Sequence, residues 1–438
     1  MDNLIRKVIT IGLPALMLFI ATAATGKTGD DAVWSGLRKV GVSLGPLASL
    51  IVLVSVALVA NYLSYLIVDS LLVSFYQKRL ELEPPEKLVI KIDKLPITND
   101  LKIKLKWSVI HGTNNPNINL KYIIFQWFII ATIVTLLFSV AGYFGEQNRF
   151  MEMSSHFRLQ YLLVGFCSLI FLAITRSKKL WLLVSGFCII INLVEIVPWY
   201  LPKPAFALET PGQQLRIFHS NVLTTNRQYS DVISVVREEQ PDIAVFVEVS
   251  QSWAKELSVL SDTFPYSFGN QDYQGFGSVI YSKIPLKNAY VKAFSKGRKS
   301  LLADVAVQGK IISMVVAHPS VPTREYSFID RNKQFAAIGE YAAQVKNPVV
   351  VVGDLNTTMW SPFYKSMVKT GGLRNARSGF GILPTWPTFM PLLSIPIDHL
   401  LVSKEIGVLK VHTGRYVGSD HLPLITDLVI AGSNNNSG

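Results

Sequence analysis

The chain has 438 residues, 50% of them hydrophobic and only 16% charged, with a formal net charge of +12 and a positive mean hydropathy. This length exceeds one ordinary core, so two or more structural units are expected, and the apolar excess in the first part of the chain excludes a protein that is soluble throughout. Only two cysteines are present, which excludes a disulfide-stapled scaffold and a cysteine-built metal site.

Crossing a bilayer takes roughly 20 mainly apolar residues, because lipid offers no hydrogen-bond partner to backbone outside a helix. Five segments meet that requirement: residues 4–24, 46–75, 122–144, 159–175 and 180–201. The first also reads as a signal peptide, with Arg6 and Lys7 ahead of a short apolar run ending Ala-Thr-Ala-Ala. Residues 1–76 are therefore read as a two-span unit, 77–121 as a cytoplasmic loop and 122–201 as a three-span unit. Lysine and arginine mark the cytoplasmic side. The 77–121 loop carries Lys78, Arg79, Lys87, Lys91, Lys94, Lys102, Lys104 and Lys106, and the turn from Arg176 to Lys179 is basic with no acid. The mixed charges Glu146, Arg149, Glu152 and Arg158 suit the opposite face, which places everything after Leu201 outside the cytoplasm. Cys167 and Cys188 both fall in expected spans, so the outer domain has no thiol to oxidise.

Pro202 and Pro204 open a proline-rich linker, residues 202–214, that favours extended chain over continuing helix. Beyond it the hydrophobic period changes. Residues 215–222, 242–249, 277–282, 311–318 and 348–356 are short β-rich runs, and 229–240, 252–260, 328–345 and 361–370 have helical spacing, so 215–430 is expected to be an α/β domain with buried strands. Residues 431–438 are mostly Ser, Asn and Gly and read as a disordered tail.

Polar residues gather at the ends of these strands: Asn221, Glu248, His318, then Asp354 and Asn356 in Gly-Asp-Leu-Asn, Asp398 in Ile-Asp-His, and Asp420 and His421 in Ser-Asp-His-Leu-Pro. Strand ends on one sheet edge converge, so these groups can share one cleft. Carboxylates with amide oxygens select a hard cation such as Mg²⁺, with Mn²⁺ as the alternative, and the chemistry such a set serves is attack of water on a phosphate ester.

These motifs, in this order over residues 215–430, resemble the endonuclease/exonuclease/phosphatase superfamily, the deoxyribonuclease I-like fold, and the spans ahead of them are similar to its bacterial membrane-bound members. The resemblance implies two packed β-sheets flanked by helices, behind an all-α transmembrane region of about five helices in a bacterial plasma membrane. It also implies roles. Glu248 ligates the metal, with Asn221 orienting it or contacting phosphate and Asp420 helping from the other side. Asp354 positions or activates water, and Asn356 donates to the phosphoryl oxygens. Asp398 holds His421 as base or phosphate ligand, and His318 binds phosphate or protonates the leaving group.

Other residues carry weaker expectations. His399 points to the opposite face of its strand and reads as structural. His219 shares the face of Asn221 and reads as a satisfied hydrogen-bonding histidine. Arg331 and Gln334 read equally as phosphate contacts or an exposed helix face. Trp360 and Trp386 read as cleft rim, membrane interface or core, and Lys296, Arg298 and Lys299 as a solvated basic turn. The expected partners are membrane lipids and a phosphate ester, lipid-linked because a stiff linker holds the domain near the bilayer. An extracytoplasmic nuclease is the second reading, weakened by only a mild basic excess in the domain. A non-catalytic receptor that kept the fold is the third, opposed by the presence of every expected acid.

Overall fold

The computed structural model describes residues 72–73, 75–76, 78–111, 120–202, 212–270 and 277–431. The first two expected spans (apart from the last few residues of the second), most of the proline-rich linker and the C-terminal tail lie outside the described residues. The chain divides into two compact units, Met1–Val134 with Ile170–Leu182, and Thr135–Leu169 with Leu183–Gly438.

In the first unit, helices α1 (Pro85–Asp93) and α2 (Asn99–His111) form a hairpin. Pro85 is tolerated at the first helical position, where its missing N–H has no intrahelical acceptor. Leu88 and Ile92 on α1 and Leu101, Leu105 and Val109 on α2 recur at four-residue spacing and bury one another. The expected basic loop is thus folded over these helices.

Three helices follow: α3 (Leu120–Ala141), α5 (Arg158–Ile174) and α6 (Lys179–Ile196), with the short α4 (Arg149–Ser154) between the first two. The segments long and apolar enough to cross a membrane are Ile124–Phe144, Arg149–Ile174 and Lys179–Trp199, matching the third to fifth expected spans.

The α/β domain lies in the second unit. Its six-stranded sheets run β11-β12-β1-β2-β4-β3 and β5-β6-β7-β8-β10-β9. The first contains β1 (Gly212–Asn221), β2 (Ile243–Val249), β3 (Tyr266–Asn270), β4 (Gly277–Ser282), β11 (Ile406–Thr413) and β12 (Leu424–Ala431). The second contains β5 (Leu286–Lys292), β6 (Ser300–Val307), β7 (Lys310–Val316), β8 (Val349–Asp354), β9 (Leu373–Asn375) and β10 (Asp398–Ser403). Parallel pairs sit at the centre of each sheet, β1 with β2 and β7 with β8, with antiparallel strands outside them.

The sheets face each other through a core that includes Leu215, Ile217, Val245 and Ile280 from one and Leu301, Met314, Val350, Val352 and Leu400 from the other. Outer faces are covered by helices. α7 (Tyr229–Glu239) and α8 (Gln251–Leu257) pack with Phe218, Phe246 and Tyr281. α9 (Glu325–Gln344) and α10 (Pro362–Thr370) pack with Val315, Val351 and Leu401. Ile196, at the end of α6, belongs to that same second cluster, and the Trp199 carbonyl accepts from the N–H groups of Gly379 and Gly381. The end of the fifth expected span is therefore docked on the domain.

Candidate active site

Strand periodicity places the site. Leu215 and Ile217 of β1 point into the layer between the sheets, so His219 and Asn221 continue that face. The same alternation carries Val350 and Val352 to Asp354, Val316 to His318, and Val402 and Leu400 to Asp398. The apolar layer therefore turns polar at one end. Asp398 pairs directly with Asp354 across β10 and β8, so two carboxylates share one buried patch.

Glu248 breaks the pattern. By alternation it would follow Phe246 onto the helix-covered face, but a bulge separates Val247 from Val249 and Glu248 takes φ +61°, which turns its side chain to the site. Gly353, at φ +150°, lies where a Cβ would meet the Ala317 carbonyl oxygen at 1.9 Å. Only glycine allows β7 and β8 to approach so closely just before His318 and Asp354.

Asn221 Nδ2 lies 3.1 Å from Glu248 Oε1, 3.0 Å from Asp354 Oδ2 and 3.3 Å from His421 Nε2, and its Oδ1 accepts from the Leu223 N–H. His318 Nε2 stands 3.8 Å from Glu248 and 3.7 Å from Asp354. His421 Nδ1 is 2.8 Å from Asp398 Oδ2, and its Nε2 is 3.7 Å from Asp354. Asn356, at φ +50°, donates its N–H to Asp354 Oδ1 at 2.8 Å and its amide to the Pro319 carbonyl at 3.0 Å. Asp420 accepts from Trp386 Nε1 at 3.0 Å, while its Oδ1 is buried with no partner among the described residues. Ser419 fixes the last motif by donating to the Asn221 carbonyl and accepting from the His421 N–H. Asn221, Glu248, His318, Asp354, Asp398 and His421 thus converge, with Asn356 and Asp420 at the margin.

Charge follows from burial and neighbours. Burial raises Asp354 to about 7, with His421 opposing and the nearby Asp398 adding to the rise. Burial would also raise Asp398, but the charges and hydrogen bonds of His421 and His219 hold it well below the usual carboxylate range. Burial lowers His421, yet Asp398 and then Asp354 outweigh it and lift the imidazole to about 10. His318 is pushed well down by burial and then by Arg298. Without metal at neutral pH, His421 is an imidazolium held by a carboxylate, whereas His318 is neutral.

Several expectations change. His219 is a site residue, with its Nε2 3.0 Å from Asp398 Oδ1, so Asp398 is gripped by two histidines. Its alternation with Asn221 was the available signal. Arg331 and Gln334 are fully buried rather than on an exposed face. The basic turn is not wholly solvated either: Arg298 Nη1 lies 2.5 Å from His318 Nε2 and 3.0 Å from its Nδ1, and Gln334 donates to the Arg298 carbonyl. His399 keeps its structural reading: it is buried between Asn375 and the Thr357 carbonyl, where burial and then Arg377 lower it to about 3. Trp360 is buried and donates to the Glu195 carbonyl.

Arg298 is a guanidinium beside His318, and its fixed donors suit an anionic ester. Arg298→Gln is expected to lower kcat/KM by about 10- to 100-fold, the scale of one hydrogen bond to a charged group, measured by steady-state kinetics.

This is the site of a phosphate-ester hydrolase: clustered carboxylates, paired histidines and flanking donors at the end of a β-sandwich. The family model described as "Endonuclease/Exonuclease/phosphatase family" matches residues 216–421. No curated protein matches the chain. Similar solved structures include an endonuclease/exonuclease/phosphatase from Beutenbergia cavernae, with 21% identity, 50% of this chain and 72% of that one covered, and a TM-score of 0.42. Truncated TDP2 of Caenorhabditis elegans has 18% identity, 50% and 99% coverage and a TM-score of 0.42. The human Nocturnin catalytic domain has 16% identity, 50% and 95% coverage and a TM-score of 0.41.

Proposed function

We propose that this protein is a membrane-anchored, divalent-metal-dependent phosphate-ester hydrolase that works outside the cytoplasm at the bilayer surface, on a lipid-linked phosphate or phospholipid headgroup. The observation that carries this reading is the loop from Trp386 to Ser394. Trp386 holds Asp420 and its ring centroid lies 6.4 Å from that of His421. A few residues on, Phe389 and Leu392 are 67% and 79% exposed. Gln160, in the first turn of the apolar helix α5, donates to the Leu392 and Ser394 carbonyls at 3.1 Å. One loop thus runs from the wall of the site to a candidate span, with its apolar side chains uncovered.

The residues present fit a hard cation. Ligand atoms of Glu248, His318 and Asp354 lie within 4.8 Å of one another, and the buried, unpartnered Oδ1 of Asp420 is a further oxygen donor. Glu248 and Asp420 would hold Mg²⁺, or Mn²⁺, and Asn221, bonded to Glu248, would orient the ligand. When bound, the ion neutralises phosphoryl charge and makes water easier to deprotonate. Asp354, with its raised pKa, takes a proton from water near neutral pH. His421 and Asn356 donate to phosphoryl oxygens as charge develops, with Asp398 fixing the imidazole.

The test uses the full chain in nanodiscs with Mg²⁺, Mn²⁺ or chelator, offered phospholipid, prenyl pyrophosphate, single- and double-stranded DNA and a generic diester. Metal-dependent hydrolysis of a lipid substrate, lost in Asp354→Ala, is expected; selective cleavage of DNA would replace this reading with a nuclease. Phe389→Ser with Leu392→Ser is expected to raise KM for the bilayer-borne substrate about tenfold, given the apolar area withdrawn from lipid, while leaving kinetics on the soluble diester unchanged.

A further inference from the structure

Glu152, on α4 at the start of the candidate span Arg149–Ile174, is fully buried. Its Oε1 accepts from Thr357 Oγ1 at 3.0 Å and pairs with Arg331 Nη2 at 3.1 Å. Arg331 comes from α9, is equally buried, and donates through Nη1 to the Asn356 carbonyl at 2.9 Å. All these residues lie in the same compact unit, Thr135–Leu169 with Leu183–Gly438.

The chemistry makes this arrangement directional. A buried guanidinium persists only where its charge is balanced and its donors are filled. Within 4 Å, Glu152 is the carboxylate that pairs with Arg331 among the described residues. Asn356 is in the left-handed region at φ +50°, a conformation held by its surroundings. Two of those holds are its own N–H on Asp354 and the Arg331 guanidinium on its carbonyl. His156 adds a parallel tie, with Nδ1 3.0 Å from Thr358 Oγ1.

We infer that Glu152 is a positioning residue for catalysis: the first turn of the candidate membrane span Arg149–Ile174 supplies the carboxylate that sets Arg331, and Arg331 sets the Asn356 turn beside Asp354. The functional boundary of the catalytic unit then lies at α4 rather than at β1. The kinetic part of this inference rests on the hydrolase reading above, whereas the structural part does not.

The experiment is a double-mutant cycle on the full chain in nanodiscs, with a generic phosphodiester as substrate, joined to amide hydrogen exchange of residues 354–360. Glu152→Ala is expected to lower kcat about 30-fold with KM nearly unchanged, and to speed exchange in that segment. In an Asn356→Ala background the same substitution is expected to cost less than about threefold, because the group it positions is gone. Equal losses in both backgrounds, or an unchanged kcat in folded Glu152→Ala protein, would overturn the inference. If Glu152→Ala does not fold, Glu152→Gln, which keeps the shape and removes the charge, enters the same cycle with the same two outcomes. If wild type hydrolyses nothing, the hydrolase reading fails separately, and exchange at 354–360 still decides: acceleration supports the link and no change refutes it.

Discussion

Asp354→Asn is expected to reduce kcat by about 10²- to 10⁴-fold and to remove the acid limb of the pH profile while leaving the protein folded. The carboxylate is the common partner of the site: Asn221, the Asn356 N–H, His318 and His421 all meet it. Burial lifts it to about 7 and the Asp398 charge adds to the rise, against the pull of His421. Its proton must leave before it can accept one from water, so activity rises as pH rises through about 7. A cation held by the neighbouring Glu248 would favour the charged form of Asp354, so increasing Mg²⁺ should move the limb to lower pH. An asparagine keeps the shape and one acceptor but neither titrates nor carries charge. The check is kcat against pH at several Mg²⁺ concentrations; an acid limb that persists in the variant would assign it to another group.

The parts of this site legible in the sequence are those governed by local rules. The ends of apolar strands placed Asn221, Asp354 and Asp398 together, because strand ends on one sheet edge converge. Alternation set His399 on the opposite face of its strand, where the structure buries it against Asn375 and the Thr357 carbonyl. The missed features are non-local. β6, with its long buried run, pairs antiparallel with β5 and β7, and β5 is half exposed at a sheet edge, so its polar pattern carries little strand signal. Arg331 resembles any basic residue on a helix until Glu152, distant in sequence, is brought to it. Arg298 reads as a loop cation until Asp330 binds the turn through Ser295 and the Lys296 N–H. His219 was visible on the right face, but its value depends on Asp398, 179 residues away.

That dependence makes Asp398→Asn the second large effect. Asp398 accepts from His421 on one oxygen and His219 on the other, an arrangement that stabilises the imidazolium of His421 and fixes both rings. With asparagine, His421 falls from about 10 toward or below its ordinary value, since burial then acts with less opposition. Catalysis by a protonated His421 would fail as pH rises through the new, lower value, so the alkaline limb should move acidward and kcat at pH 8 should fall by about 10²- to 10⁴-fold. Stability carries the same signature. His421 has a folded pKa above its unfolded one, so its contribution is complete below about 6.5 and is lost as pH rises from there to about 10. Asp398, depressed in the fold, contributes above the usual carboxylate range and loses that contribution as pH falls through its folded value. Asp354 runs the other way, its raised pKa making the folded state less favourable as pH climbs from about 4 to about 7. Wild type should therefore lose stability between pH 6.5 and 10 in denaturant titrations, and Asp398→Asn should start lower and show a flatter dependence over that interval. A variant with wild-type slope there would mean that the His421–Asp398 pair does not hold the proton, and the assignment of His421 as a donor to phosphate would fall with it.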